Sequence, residues 1–411
     1  MPLVHYAWLC ETAVDRSNLA VCAGRAVNPR IESKLPHVNT TIFTVMSALA
    51  QTHGAINLSQ GFPDFDGPRA LRERVQFYMN QGYNQYPPMA GVTSLREAVA
   101  DKIADLYGCC VDPETEVTIT AGGTEALFCA IAAVVQPGDE VVVFDPAYDS
   151  YAPVVELQGG RTVHVPLQGA DFHVDWQRVA EAISDRTRLL IINSPHNPTG
   201  SILRSADMEA LRTLSGRHGF FILSDEVYEH MLFDGAEHQS VCRYEDLFAR
   251  SFVVSSFGKT YHVTGWKVGY CTAPVALSTE FRRIHQYVNF TVNTPVQHGL
   301  ADFLSEQPEH HLTLPDFYQA KRDLFCELMA ESRWRFSPSA GTYFQLLNYA
   351  EISSQPDISL ARELTEVSKV ASIPISVFYA DPGELKEPVL RFCFAKDDET
   401  LRRAADILSA L

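Results

Sequence analysis

The chain predicts an α/β fold, a mostly parallel sheet covered by helices on both faces. Three observations carry that reading. First, short apolar runs recur with helical stretches between them: Glu140 to Phe144, Arg188 to Asn193, Phe220 to Leu223 and Phe252 to Ser255. Strands that are apolar almost throughout are buried on both faces, as in parallel sheets. Second, Val117-Thr118-Ile119-Thr120 runs into a tight turn, Ala121-Gly122-Gly123, and then a helix from Thr124 to Ala133 stopped by Pro137-Gly138. Third, 411 residues at 46% hydrophobic and 20% charged are an ordinary globular balance with room for a large core and two domains.

The remaining elements follow in order. Met1 to about Val27 shows neither a basic start nor a clean apolar segment before a cleavage site, so no signal peptide is read there. Residues 1–33 are set apart as an N-terminal extension, open between order and disorder. From Lys34 the pattern becomes regular. Ile42 to Ala50 carries the apolar stripe of a helix that ends before His53-Gly54. Asn57 to Phe65 is a loop punctuated by Gly61 and Pro63, and Gly61 allows a close backbone approach. Pro68 to Met79 is helical, Asn84 to Gly91 irregular, and Thr93 to Tyr107 a second helix with Ser94 and Glu97 as capping candidates. Beyond Ala301, Pro315 to Glu331 reads as an amphipathic helix. Gly341 to Leu346 and Val389 to Phe394 read as strands.

Charge and cysteine usage exclude several classes. A net charge of −17 opposes a nucleic-acid or anionic-membrane surface. No apolar run is long enough to span a bilayer. The nine cysteines are an odd number without a CxxC pair, which points to reduced thiols in a cytoplasmic protein and to no metal. Neither GxGxxG nor a Walker sequence is present, against a dinucleotide or triphosphate ligand.

Ligands of such sheets gather at the carboxyl ends of the strands. Past the first run stands Tyr148, past the second Asn197, past the third Asp225 and Tyr228, and past the fourth Ser256 and Lys259. Singly, each has a plain structural use. Asp225 could cap a helix, Asn197 could brace its turn, and Tyr228 could be packing. The glycine turn serves equally to seat a helix on a sheet or to bind an anion at the helix N-terminus. Lys259, among small and hydroxyl residues, is costly to bury unless a partner or a covalent bond uses it. At such a place a lysine forms imines with carbonyls. Jointly the set describes a heteroaromatic cofactor with a ring nitrogen, a phenolic oxygen, a phosphate and an aldehyde.

The runs Asn197-Pro198-Thr199-Gly200, Ser224-Asp225-Glu226-Val227-Tyr228 and Ser256-Phe257-Gly258-Lys259-Thr260, with Gly265-Trp266-Lys267-Val268-Gly269, resemble the class I and II aminotransferases. These are fold-type I enzymes that use pyridoxal 5'-phosphate (PLP). The likeness runs from about Pro36 to the C-terminus. Asn84-Gln85-Tyr86 and Gly61-Phe62-Pro63-Asp64-Phe65 resemble the kynurenine aminotransferase branch, most of all its bacterial methionine aminotransferase members. The resemblance implies a large domain with a mostly parallel seven-stranded sheet between helices, and a smaller α+β domain. Residues 34–60 would begin the small domain, 61–300 would form the large one, and 301–411 would complete the small one.

The resemblance also implies roles. Lys259 would hold PLP as a Schiff base and then shuttle the proton of the substrate α-carbon. Asp225 would face the ring nitrogen, its pKa lowered by that cation. Tyr228 and Asn197 would bind the phenolate oxygen, and Tyr148 would stack on the ring. Gly123, Thr124, Ser256 and Lys267 would hold the phosphate. Family members often carry arginine at the last of these. Tyr86, and more weakly Asn293, would reach a partner subunit's site in a homodimer. Arg391, which by itself reads as half of a structural ion pair, would clamp the substrate α-carboxylate. The side-chain pocket, with Gly61, Phe62, Tyr86 and Phe290 near it and no second arginine, implies an uncharged donor such as methionine, an aromatic amino acid or kynurenine. A 2-oxo acid would take the nitrogen by way of pyridoxamine phosphate. The runner-up is a PLP-dependent cysteine-conjugate carbon–sulfur lyase. A PLP-binding DNA regulator would need a basic helix-turn-helix module that this chain does not show, and an oxidoreductase would need the missing glycine motif.

Overall fold

The structure, a computed structural model, describes residues 31–411. Residues 1–30 of the expected N-terminal extension lie outside that range. The strands in chain order are β1 (Ile56–Asn57), β2 (Val117–Thr120), β3 (Glu140–Asp145), β4 (Arg161–Pro166), β5 (Thr187–Asn193), β6 (Phe221–Asp225), β7 (Ser251–Ser256), β8 (Gly269–Thr272), β9 (Phe344–Asn348), β10 (Val370–Ala371), β11 (Ile373–Pro374) and β12 (Val389–Cys393). Seven of them form the main sheet in the order β2-β8-β7-β6-β5-β3-β4. Pairing is parallel from β7 through β6, β5 and β3 to β4, and β8 runs antiparallel to both β2 and β7. The α/β reading and the mostly parallel seven-stranded sheet are therefore found. The strands β2 and β3 are buried at every position, as burial on both faces requires.

Two apolar clusters cover the two faces of this sheet. One contains Val142, Ile192, Ile222 and Val253 with Leu95, Ile103 and Leu300. The other contains Val141, Val143, Ile191 and Val254 with Leu127, Ile131 and Phe281. Neighbouring residues of one strand thus serve opposite faces, which is the pleat at work. A third cluster joins β9, β11 and β12 to the Leu314–Met329 helix and to Met46 and Leu58.

Several sequence expectations are corrected. The Thr93–Tyr107 helix is capped by neither Ser94 nor Glu97. Val92 is its N-cap and makes no side-chain cap bond. The strand expected at Gly341 to Leu346 begins only at Phe344, because Thr342 takes φ +65° and turns the chain first. The strands β4 and β8 had no assignment in the sequence. In β4 only Val165 is fully buried, so Arg161 to Pro166 lacks the apolar run of its neighbours.

Candidate active site

Register brings the polar residues of the strand ends together. Asn193 pairs with Asp225 across β5 and β6, and Asp225 with Val254 across β6 and β7. A cavity at this edge is lined by Gly123, Thr124, Tyr148, Asn197, Asp225, Tyr228, Ser256, Lys259 and Lys267. All nine were expected from the sequence to meet.

One end of the cavity is an anion cradle. Gly122, at φ +80°, turns the chain from β2 into the Gly123–Val134 helix. The first-turn N–H groups of that helix have no intrahelical acceptor, and Gly122, Gly123 and Thr124 line the cavity. Lys267, itself at φ +54°, brings its amine back over the turn, and a Cβ added to Gly122 would lie 3.2 Å from Lys267 Nζ. Glu125 holds the turn in place. Its carboxylate accepts the Ala121 N–H at 3.0 Å and meets His285 Nδ1 at 2.8 Å.

The other end is an acid. Asp225 accepts a hydrogen bond from the Tyr151 hydroxyl at 2.6 Å. Asn193 donates to the Asp225 carbonyl at 2.9 Å and accepts from the Asn197 N–H at 2.8 Å, so one amide fixes two site residues. Burial pushes the Asp225 carboxyl up to about 6, against the pull of Tyr151, the Val227 N–H and the charge on Lys259. The lowered value expected from the sequence assumed a cation at the carboxylate; Lys259 supplies too little to offset desolvation. Burial also raises the Tyr228 phenol.

Arg391, on β12, is fully buried. It donates to Asn197 Oδ1 at 2.7 Å and to the Ser59 carbonyl at 2.9 Å, and its Nε has no partner. The plain reading, a structural ion pair, is not met among the described residues. Because arginine only donates, it fixes the Asn197 amide with its oxygen toward Arg391 and its NH2 free. The uncompensated guanidinium faces desolvation that lowers its pKa to about 10.

Lys259 lies between the two ends. Its amine donates to Tyr343 Oη at 2.7 Å and to the Gly61 carbonyl at 3.1 Å, and burial lowers its pKa to about 8. Gly61 must lack a side chain here, since a Cβ would stand 2.7 Å from the Phe344 ring.

Other expected residues lie further off. Phe62 is half exposed, its ring 4.7 Å from Lys396 Nζ. Tyr86 is 82% exposed and meets Phe290 edge to face at 5.5 Å. Asn293 caps the Thr294–Glu306 helix by accepting from the Val296 N–H, which occupies its oxygen. The sequence reading gave no role to Asn193, Tyr151 or Tyr343. Each sits in a strand or helix pattern where packing explains it, and only the tertiary fold brings its polar atom to the pocket.

Comparison with known proteins gives the same site an ancestry. The family pattern of aminotransferase class I and II matches residues 53–408. Methionine aminotransferase of Escherichia coli is 53% identical over 385 residues, covering 93% of this chain and 99% of that one. Human kynurenine–oxoglutarate transaminase 1 is 30% identical over 386 residues, covering 86% and 92%. Among solved structures, N-succinyldiaminopimelate aminotransferase of Mycobacterium tuberculosis superposes with a TM-score of 0.89 at 37% identity, covering 93% of this chain and all of that one. With the strand-end pocket, its lysine and the matched length taken together, this chain belongs to the class I and II aminotransferases.

Proposed function

We propose that this aminotransferase uses PLP to move the α-amino group of methionine, or of another uncharged amino acid such as phenylalanine or kynurenine, to a 2-oxo acid. The observation that carries the reading is Lys259: an amine with a lowered pKa and no ion pair among the described residues, set between an anion cradle and a buried acid. The residues fit the cofactor. The Gly122 turn with Lys267 and Ser256 suits its phosphate, Asp225 its ring nitrogen, Tyr228 and the free NH2 of Asn197 its phenolic oxygen, Tyr148 its face, and Lys259 its aldehyde carbon.

When bound, the group supplies an electron-withdrawing ring that accepts the electrons of the substrate Cα–H bond as its proton leaves. The chain supplies the rest. Lys259, with a pKa of about 8, is part-neutral at physiological pH and can take that proton and return it. Arg391 holds the α-carboxylate with the N–H groups that no protein anion occupies. Asp225, ionised once a cationic ring nitrogen faces it, holds that nitrogen protonated. Tyr86 and Phe290 meet edge to face, and Phe62 offers a ring whose one face has the Lys396 amine 4.7 Å away; these aromatic surfaces suit a polarisable thioether or a ring.

We extend the proposal to a homodimer working in the cytoplasm. Tyr86, Tyr287 and Phe290 are large apolar side chains left exposed, the first and last packed edge to face, which supports a second subunit covering them. The described cysteines are free thiols, in keeping with a reducing compartment. A large body of 61–300 and a small one of 34–60 with 301–411 are supported by the separate cluster around β9, β11 and β12, to which Met231 and Phe233 of the large body also belong, while Phe303 and Leu304 pack with the main sheet. Half-reaction absorbance with methionine against aspartate tests the reading. Faster conversion with methionine is expected. Faster conversion with aspartate would reject the side-chain argument, and ammonia and pyruvate released from a cysteine conjugate without a 2-oxo acid would indicate the lyase instead.

A further inference from the structure

Tyr343 stands out among the polar groups that the reading above does not use. It immediately precedes β9, on a backbone set by Thr342 at φ +65°. The turn is tied down on three sides. The Thr342 N–H donates to the Met231 carbonyl, the Phe394 N–H donates to the Tyr343 carbonyl, and the Phe344 N–H donates to Thr342 Oγ1. The Tyr343 ring is fully buried, edge-on to Phe344 at 4.8 Å and to Tyr228 at 5.2 Å. A tyrosine needed only for packing would have no need to bring its hydroxyl to the Lys259 amine.

The hydrogen bonding there has a definite direction. The Tyr343 hydroxyl has one proton, and it goes to the Gly61 carbonyl at 2.5 Å. Toward Lys259 the hydroxyl is therefore an acceptor, at 2.7 Å, and the Gly61 carbonyl accepts a second N–H at 3.1 Å. A neutral amine has two N–H bonds and one lone pair. With both N–H bonds engaged by these two oxygens, the lone pair is left pointing away from them.

We propose that Tyr343 and the Gly61 carbonyl form the seat that receives the Lys259 amine whenever it is not bonded to the cofactor, and that Tyr343 is a positioning residue that aims the amine's lone pair at the substrate α-proton. This rests on the function proposed above. It gives a reason for Gly61 as well, since the close approach that lets its carbonyl share both donors leaves no space for a Cβ.

The test is Tyr343→Phe, which keeps the ring and removes only the hydroxyl. Two readouts separate positioning from packing. The first uses the cofactor-free protein: the rate of acylation of Lys259 by a small reagent, followed by mass spectrometry from pH 6 to 10. The groups facing this amine are Asp225, Arg391, Lys267, Cys393, Tyr228 and Tyr343. Only the last differs between the two proteins. Loss of an acceptor for the ammonium favours the neutral form, so the variant's profile moves to lower pH and its plateau rate rises. The second is the α-deuterium isotope effect on the single-turnover half-reaction. Misdirected proton transfer slows that step roughly 10- to 100-fold, and the isotope effect grows while substrate affinity and the cofactor's absorbance band stay unchanged. Superimposable acylation profiles together with an unchanged isotope effect would overturn the proposal. A wild type that takes up no cofactor would instead overturn the function it rests on, and the acylation profiles would still decide whether Tyr343 seats the amine.

Discussion

Replacing Asp225 by asparagine should make the cofactor-free protein more stable at alkaline pH while disabling it. The carboxyl is 3% exposed and its pKa rises from 3.8 to about 6, with burial the largest cause. At about 1.36 kcal/mol for each tenfold change in proton affinity, holding this group ionised in the fold costs about 3 kcal/mol. Because the folded pKa lies above the unfolded one, the stability linked to the protonated carboxyl is full below about pH 4 and lost as pH rises through about 6. Asparagine does not ionise, and it keeps an oxygen to accept from the Tyr151 hydroxyl. With a melting entropy of about 2.1 cal/mol/K per residue over roughly 380 described residues, 3 kcal/mol corresponds to about 4 °C. Calorimetry of both cofactor-free proteins at pH 8 and pH 4.5 measures it. The variant should melt about 4 °C higher at pH 8, with the gap closing at pH 4.5. Equal melting at pH 8, or a gap of the same size at both pH values, would refute the argument that burial dominates this carboxyl.

Arg391→Lys keeps the charge but not the fork. It should raise KM for the amino acid by roughly 10- to 100-fold, a loss of about 1.5–3 kcal/mol in charged hydrogen bonds, while the cofactor's absorbance band stays as in the wild type. Tyr151→Phe removes the 2.6 Å bond to Asp225 and should push that carboxyl higher still, seen as cofactor bound more weakly as pH falls. Lys102→Met leaves Glu229 buried without its cation and should destabilise the protein by about 3–5 kcal/mol, measured by urea unfolding, since the pair at 2.6 Å is nearly closed to water.

The sheet and most of the pocket were legible because parallel strands and strand-end ligands both leave local marks. Val141 to Phe144 is apolar because both its faces are buried, and Lys259 follows Val253-Val254 because the pocket lies at the strand ends. What was not legible depends on contacts between distant parts of the chain. The sign of the Asp225 shift is set by how much of its surroundings is water, which no short run of residues records. The use of Tyr343 depends on Gly61, 282 positions away. The strand β8 starts only at the last glycine of the Gly-Trp-Lys-Val-Gly stretch and is four residues long, too short a run to announce its pairing with β2 and β7.

The buried cations of the fold differ in how their charge is met. Lys102 is buried and has Glu229 at 2.6 Å, with the Tyr270 hydroxyl beside it at 2.8 Å. Arg322 is buried and forks onto Asp234 at 2.6 and 2.8 Å. Both are complete within the chain, as burying a charge requires. Lys259 and Arg391 have only neutral oxygens, and the latter has an N–H with no acceptor at all. Lys396, buried with the Phe62 carbonyl at 2.7 Å and the Phe62 ring over its amine, shows that a carbonyl and an aromatic face can also accommodate a lysine. Lack of a carboxylate is therefore not enough to mark a site. What distinguishes Lys259 and Arg391 is that Asn197 ties them to one pocket: its amide oxygen takes the Arg391 guanidinium and its NH2 joins the Lys259 cavity wall. In the function proposed above, a substrate with a carboxylate on the carbon that bears its amine gives Arg391 the anion it lacks and brings that carbon's proton to the Lys259 amine, as an α-amino acid does.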